Sequence, residues 1–447
     1  MEIQLIGGGL AGAEAAYQLA KRGIDVNLYE MRPCVYTPAH ATEYLAELVC
    51  SNSLKSCELT NAHGLLKAEL SILDSLVLRI ANETAIPGGK ALVVDRERFA
   101  RRITEEIEKN SHIRLTRKEV TIIPPKPVII ASGPLTSDAL ANEISGLTGE
   151  KELSFYDAVS PIVAADSVDL ECAFYASRYV KEKNDDYLNC PLTAEEYNLF
   201  HTELMQAQRV EVKQFENTSH FEGCLPVEVM AERGRDTLLY GPMKPVGLVD
   251  GRTGKRPYAV IQLRKENREG SMFNLVGFQT KLTYPEQDRV FRLIPALKNA
   301  VFLRYGSVHR NTYIHSPAIL SDSLQLKNNQ GIFFAGQITG VEGYIESTAM
   351  GLIAGISAYA YLNDGPFVPP PQESCIGGLL KHITTETKNF QPMNANFGLI
   401  PNYQKREKDI VVERAIRSIT LWKELIEHDP GKATTDARIK QAQANIE

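Results

Sequence analysis

No run of about 18 apolar residues occurs in the 447-residue chain, so a membrane-spanning helix is not expected. An excess of basic charge is missing too. The formal net charge is −6, which excludes strong non-specific nucleic-acid binding by the chain as a whole but leaves room for a local basic patch. Seven cysteines are present, yet none forms a Cys-x-x-Cys pair, so neither a zinc site nor a disulfide framework is expected. The Cys-x4-Cys pair of flavin disulfide reductases is absent as well: Cys50 and Cys57 stand seven apart. No basic leader with a cleavage site precedes Gly7. Repeats and low-complexity segments are lacking. These absences lead us to expect a cytoplasmic protein with no metal and no membrane partner. Hydrophobic residues make up 43% and charged residues 23%, enough for a large core, and the length suits two or three domains.

The first thirty residues carry the strongest signal. Glu2–Ile6 reads as a buried strand, the residues after Gly12 to about Arg22 as a helix stopped by Gly23, and Ile24–Tyr29 as a second strand ending at Glu30. Between strand and helix lies Gly7-Gly8-Gly9-Leu10-Ala11-Gly12. In a G-x-G-x-x-G loop the first glycine permits the tight turn, the second lets a pyrophosphate approach the backbone, and the third lets helix and strand pack closely. The helix N-terminus then offers free N–H groups and the positive end of its dipole to phosphate. Glu30, eighteen residues after Gly12, is placed to accept hydrogen bonds from ribose hydroxyls and to repel a 2′-phosphate. That favours FAD or NAD over NADP; a solvated surface carboxylate is the alternative. Far downstream, Ile332-Phe333-Phe334-Ala335-Gly336 is followed by Gly340, Gly343 and a helix of small residues. FAD enzymes return a late strand and helix to the flavin in this way, whereas a simple NAD domain does not. One more core β-α unit is the alternative. Gly336 and Gly343 join the cofactor candidates. Gln337 stands where many flavoproteins have Asp. No second dinucleotide fingerprint occurs, and Gly247–Lys255 has the wrong spacing for a phosphate loop.

Elsewhere, residues 31–60 read as loop, Gly64–Ala81 as one helix, and Asp95 as the cap of a helix over Arg96–Lys109. Pro127–Ala131 reads as a strand, Glu195–Gln208 as a helix, and Thr237–Tyr240, Tyr258–Arg264 and Phe273–Gln279 as strands joined by turns. Glu346–Tyr361 and the residues after about Arg406 are helical. The expected fold is α/β: a Rossmann-like FAD-binding domain with a smaller, β-rich α+β insertion domain. The division is 1–170, then 171–289 for the substrate or RNA, then 290–447 with the second part of the FAD domain and C-terminal helices.

Further segments carry a resemblance. These are Met31-Arg32-Pro33, Thr37-Pro38-Ala39-His40, Ala46–Leu54 around Cys50-Ser51-Asn52-Ser53, and Asn189-Cys190-Pro191. Gly241–Asp250, His309-Arg310-Asn311-Thr312-Tyr313, Gly340-Val341-Glu342-Gly343-Tyr344 and Phe390–Asn394 continue it. Nearly end to end, the chain resembles the folate- and FAD-dependent tRNA (uracil-5-)-methyltransferases, the TrmFO family, related to the MnmG/GidA flavoproteins. Gly8 stands where Ala is expected, a departure read as harmless, and Cys57 is an extra thiol without a family role.

The resemblance implies methylation of a uridine in the T-loop of tRNA (position 54). Methylenetetrahydrofolate is the one-carbon donor, FAD carries and reduces the unit, and NADH or NADPH restores the reduced flavin. Arg32 falls on the cofactor side. His309, Arg310 and Tyr344 fall near folate. Carbon 5 of uracil is a poor nucleophile until a thiolate adds to carbon 6, so the chemistry needs a thiolate and a base. The resemblance places the nucleophile at Cys224, in Phe221-Glu222-Gly223-Cys224-Leu225-Pro226. By residue type alone a buried structural cysteine is the alternative. Cys50 is the candidate base or partner thiol, with a packed loop cysteine as its alternative. RNA contacts are expected from Arg252, Lys255, Arg256, Arg264, Lys265 and Arg268, and from Arg178, Lys181 and Lys183, each of which also suits solvated surface. Two other functions stay open: the same chemistry on 23S ribosomal RNA, and a flavin-bound RNA-binding or RNA-folding protein.

Overall fold

The computed structural model describes residues 1–149, 153–178, 186–210, 225–387, 390–404 and 406–427, with the backbone alone at 153–157, 309 and 310. Among the described residues two six-stranded sheets organise the chain. The first runs, in spatial order, Gln325–Leu326, Asn329–Phe334, Val128–Ile130, Glu2–Ile6, Asp25–Glu30, Ile113–Arg117. All its neighbours are parallel except the outermost pair, 325–326 with 329–334. Ile129 sits between Leu5 and Phe333, and all three are fully buried. Parallel sheets are covered on both faces, which is why these strands read as continuous apolar runs.

The helix Leu10–Ala20 follows the first strand directly, and the helix Tyr344–Leu362 lies against it. Two glycines set that approach. A Cβ on Gly351 would lie 2.3 Å from the Ala11 carbonyl oxygen, and one on Gly355 would lie 3.0 Å from that of Ala15. The late helix therefore reaches the glycine loop only because its contact face is stripped of side chains.

The second sheet is antiparallel: Phe174–Tyr175, Tyr187–Leu192, Ala259–Lys265, Met272–Leu275, Ile162–Ala164, Phe302–Arg304. It reaches beyond 171–289 at both ends. Its core includes Tyr197, Phe200 and Leu204 of the helix Ala194–Gln206, with Phe278 and Phe291. Thr193 and Glu196 form a reciprocal cap at that helix's start. A two-stranded ribbon, Leu153–Ala158 with Val308–Tyr313, lies in both chain passages between the two sheets.

Three local expectations fail. The apolar stretch 64–81 is two helices, Ala62–Ile72 and Leu76–Glu83. Asp74 breaks it at φ 56°, and Ser75 Oγ accepts from Leu78 N at 3.2 Å to start the second helix. The apolar period runs through the break, so periodicity could not find it; Asp-Ser as a helix start could. Thr237–Tyr240 is a short helix rather than a strand, the usual ambiguity of a brief apolar run. The 31–60 loop contains a strand, Ser53–Ser56, paired with Ala91–Val94.

Candidate functional site

At the C-terminal ends of the parallel strands lies a cleft of about 990 Å³. Gly7, Gly9, Leu10, Ala11, Glu30, Arg32, Ala131–Ser137 and Gly336 are among its lining. The glycines have separate causes. Gly7 adopts φ +101°, and a Cβ there would lie 2.5 Å from the Ala131 carbonyl oxygen. On Gly12 a Cβ would lie 1.8 Å from the Gly7 oxygen. Gly9 is different: its backbone is extended, φ −73° and ψ −169°, and a Cβ would meet nothing within 4 Å. Neither its conformation nor its protein neighbours require glycine, so the space in front of it suits an occupant. Gly9 is also the N-cap of a helix with no side-chain cap and no acidic residue in its first turn. This is the arrangement that receives phosphate.

Glu30 is 5% exposed. Its Oε2 accepts from Gly8 N at 2.9 Å, and Oε1 accepts from Arg32 N at 3.0 Å and Nε at 2.8 Å. Burial alone would raise this carboxyl, but the Arg32 contacts and the Gly8 N–H together hold it below its ordinary value. Arg32 lies buried between Glu30 and Glu47, with Nη1 3.1 Å from Glu47 Oε2. A Cβ on Gly8 would lie 2.5 Å from Leu45 Cδ2 and 2.9 Å from Glu30 Oε2. His40, also in the lining, is pushed down to about 4, first by burial and then by the Arg32 cation. The far wall carries Gly336 at φ +82°, its Cβ position 2.6 Å from Ala11 Cβ.

Val49, Pro134, Leu135, Gln337 and Tyr344 also line a second cleft of about 1060 Å³. Cys50, Lys55, Gln279, Asn311, Gly343 and Glu346 belong to it. Cys50 sits on a loop fixed from several sides. Tyr344 Oη accepts from Cys50 N at 2.8 Å and Ser51 N at 3.1 Å. Burial pushes the Tyr344 hydroxyl well up, so it stays neutral. Arg304 Nη2 donates to the Val49 carbonyl at 2.7 Å, and Arg96 donates to that of Leu48. Arg264 donates through Nε to Asn52 Oδ1 at 2.9 Å and through Nη2 to Ser51 Oγ at 2.8 Å. Arg264 is thus a buried brace between the antiparallel sheet and the Cys50 loop, not a surface cation for RNA. Arg252 is likewise engaged, by Asp250 and the Glu171 carbonyl.

Gly343 adopts φ +121° and starts the late helix, whose Glu346 is fully buried. Lys55 Nζ and His63 Nε2 lie 3.6 and 3.4 Å from Glu346 Oε1, which also accepts from Ala395 N at 3.1 Å. Burial opposes ionisation here, but Lys55 and His63 prevail and hold the carboxyl at about 2.

Two expected residues stand on the ribbon: the backbones of His309 and Arg310 pair with Asp157 and Tyr156, and their side chains lie outside the described part. Cys224 and Lys181 and Lys183 also lie outside the described residues. The chain resumes at Leu225, and Val227 N donates at 2.7 Å to the carbonyl of Gln279, a residue of the second cleft. Sequence reading missed Arg96, Arg304, Lys55 and Glu346 as parts of one site. No local signal marks them, because each comes from a different element. Among the described residues no cluster of three metal-ligating side chains occurs, and no helix is long and apolar enough to cross a membrane.

The family profile described as glucose inhibited division protein A (GidA) matches residues 2–366. A curated relative from Syntrophus aciditrophicus, named methylenetetrahydrofolate--tRNA-(uracil-5-)-methyltransferase TrmFO, is 54% identical over 94% of this chain and 97% of its own length. The chain belongs to the GidA family, in its TrmFO branch. A second TrmFO relative, from Citrifermentans bemidjiense, is 55% identical over 94% of this chain and 98% of its own. The crystal structure of Aquifex aeolicus GidA, form II, superposes with a TM-score of 0.71 at 16% identity, covering 99% of this chain and 76% of that one. At that identity the likeness speaks for the GidA fold.

Proposed function

We propose that this protein is a methylenetetrahydrofolate--tRNA-(uracil-5-)-methyltransferase that binds FAD in the first cleft and methylates uracil carbon 5 in the T-loop of tRNA, position 54. The observation that carries it is identity of 54–55% over 94% of the chain to relatives of that name. The first cleft fits the cofactor: space is left open at Gly9, in front of an uncapped helix N-terminus. Its pyrophosphate would lie at Gly9–Ala11. Its ribose would face Glu30, which Arg32 holds ionised and whose Oε2 has taken only the Gly8 N–H. When bound, FAD supplies the carrier for the one-carbon unit and the hydride that turns methylene into methyl.

The protein's own groups do the rest. Cys224 Sγ bonds to carbon 6 of uracil, and the displaced electron pair makes carbon 5 nucleophilic. Carbon 5 bonds to the electrophilic methylene, and the electron pair of that carbon's double bond to nitrogen passes to the nitrogen. Cys50 Sγ then takes the carbon 5 proton, and the sulfur–carbon 6 bond breaks to return the Cys224 thiolate. Tyr344 holds the Cys50 backbone, and His309, Arg310 and the second cleft receive folate. The target base must leave its stack, at a cost of a few kcal/mol. NADH or NADPH restores the reduced flavin. We assign the parallel-sheet unit to the cofactor, the 171–289 region to RNA, and the protein to the cytoplasm.

The test is complementation of a deletion strain with wild type or Cys224→Ala, followed by mass analysis of methylated uridine in tRNA and 23S ribosomal RNA. Wild type should restore the methyl group in tRNA. Cys224→Ala should restore none while purifying yellow. Full rescue by Cys224→Ala would point to an RNA-binding role, and methyl groups restored in ribosomal RNA alone would change the substrate.

A further inference from the structure

A column of rings runs from the antiparallel sheet to the surface. Phe302, in the edge strand Phe302–Arg304, stacks on Tyr305 with 5.4 Å between centroids and 15° between planes. Tyr305 stacks on Tyr284 at 4.8 Å and 17°. Both are near-parallel stacks within the ordinary distance range. Arg292 lies over the Phe302 ring, its Cζ 6.0 Å from the centroid. Asp288 ties the column together: Tyr305 Oη donates to its Oδ2 at 2.7 Å, and Arg292 Nη2 donates to its Oδ1 at 3.0 Å. Tyr284 starts the helix Tyr284–Phe291 and ends the column. It is 55% exposed, and its one ring contact among the described residues is with Tyr305. One face of the Tyr284 ring is thus covered, and the other is open.

The column stands beside the second cleft. Tyr305 follows Arg304, whose guanidinium donates to the carbonyl of the cleft residue Val49. Two residues on, the Ser307 carbonyl accepts from the N–H of Val159, another cleft residue, at 2.9 Å. Tyr284 comes five residues after Gln279 of the same cleft. The stretch between them also holds both flanks of the segment that contains Cys224. Val210 N donates to the Lys281 carbonyl at 2.8 Å, and Val227 N donates to that of Gln279 at 2.7 Å. The Lys281 ammonium has no ion pair among the described residues, so a cation for phosphate is available three residues before the open ring.

A planar ring with one free face suits a nucleobase, which stacks on it whatever its identity. Extruding the target uridine strips its neighbours in the RNA of a stacking partner, so a protein ring beside the cleft has a base to receive. We propose that Tyr284 is a stacking platform for a base next to the target uridine, with Tyr305, Phe302 and Asp288 holding its ring in place. This rests on the RNA-methylating reading above, and it names the surface that takes the RNA. Because the column is already ordered by Asp288 and by its own stacking, little freedom is lost when the base lands.

The test uses FAD-loaded protein and an unmodified, fluorescein-labelled T-arm hairpin RNA, with binding read by anisotropy. Tyr284→Ala should bind about tenfold more weakly than wild type, the scale of one base–aromatic stack, whereas Tyr284→Trp, which keeps a flat ring, should bind as wild type does. Flavin content and melting temperature should be unchanged in both, because the ring is more than half exposed. Further hairpins carry 2-aminopurine on one or the other side of the target uridine. In the wild-type complex one of these probes should be quenched, and it should brighten severalfold in the Tyr284→Ala complex. Wild-type complexes that are bright with both probes overturn the proposal without any variant. A Tyr284→Ala protein that binds and quenches like wild type also overturns it. So does a Tyr284→Ala protein whose only change is lost self-association in light scattering, which would give the ring to a second copy of the chain. Wild-type protein that binds neither this hairpin nor its 23S ribosomal counterpart overturns the stacking claim together with the RNA reading, an outcome distinct from failure at Tyr284 alone.

Discussion

The two clefts that meet at Val49, Pro134, Leu135, Gln337 and Tyr344 are built on opposite plans. The first is made of backbone. Gly7, Gly9, Gly12 and Gly336 shape it, one helix end polarises it, and Glu30 is braced by Arg32 at its edge. The second is made of side chains from distant elements: Lys55 from the strand Ser53–Ser56, Glu346 and Tyr344 from the late helix, and Cys50 from a loop gripped by arginines of both units. A backbone cradle suits a large cofactor held through phosphate and left in place. A charged, cross-braced pocket suits reactants that must be aligned, used and released.

The contrast breaks first at the glycines. Gly9→Val should leave the protein folded, since its Cβ meets no protein atom within 4 Å, but should abolish FAD retention and with it activity. Absorbance near 450 nm after desalting checks this, and a yellow, fully loaded variant would refute the cradle. Gly12→Ala should do the reverse in kind. Its Cβ would fall 1.8 Å from the Gly7 oxygen, and backbone cannot swing aside as a side chain can. We expect a loss of about 3 kcal/mol or more in denaturant unfolding.

A smaller effect should come from the second cleft. Glu346 is held at about 2 against an ordinary 4.5, so its folded pKa is depressed. The stability it contributes is present above about 4.5 and is lost as pH falls through about 2. Lys55 is more than a third exposed, which discounts the pair, so we expect roughly 2 kcal/mol from this group. Glu346→Gln should remove that acid-side loss from a urea-melt series between those pH values. A variant with an unchanged acid slope would show that Glu346 is not the group responsible.

How much of this was legible follows from the same contrast. The cradle is local: strand, glycine loop, helix and Glu30 lie within thirty residues, and each has a conformational reason that residue type reveals. The late strand and helix could be matched to it because Gly336 and Gly343 mark backbone that only glycine tolerates easily, at φ +82° and +121°. The brace on Cys50 could not be read. Arg96, Arg264 and Arg304 are spread over two hundred residues and look like any surface arginine until the fold buries them. Arg264 was read as part of an RNA patch for that reason.

The most direct test of the central claim is methyl transfer by the purified FAD-loaded protein with methylenetetrahydrofolate, reduced nicotinamide and unmodified tRNA. The control replaces folate with S-adenosylmethionine. The account predicts folate-dependent 5-methyluridine at position 54 and none in the control; no product on tRNA or on ribosomal RNA, with flavin bound, would contradict it.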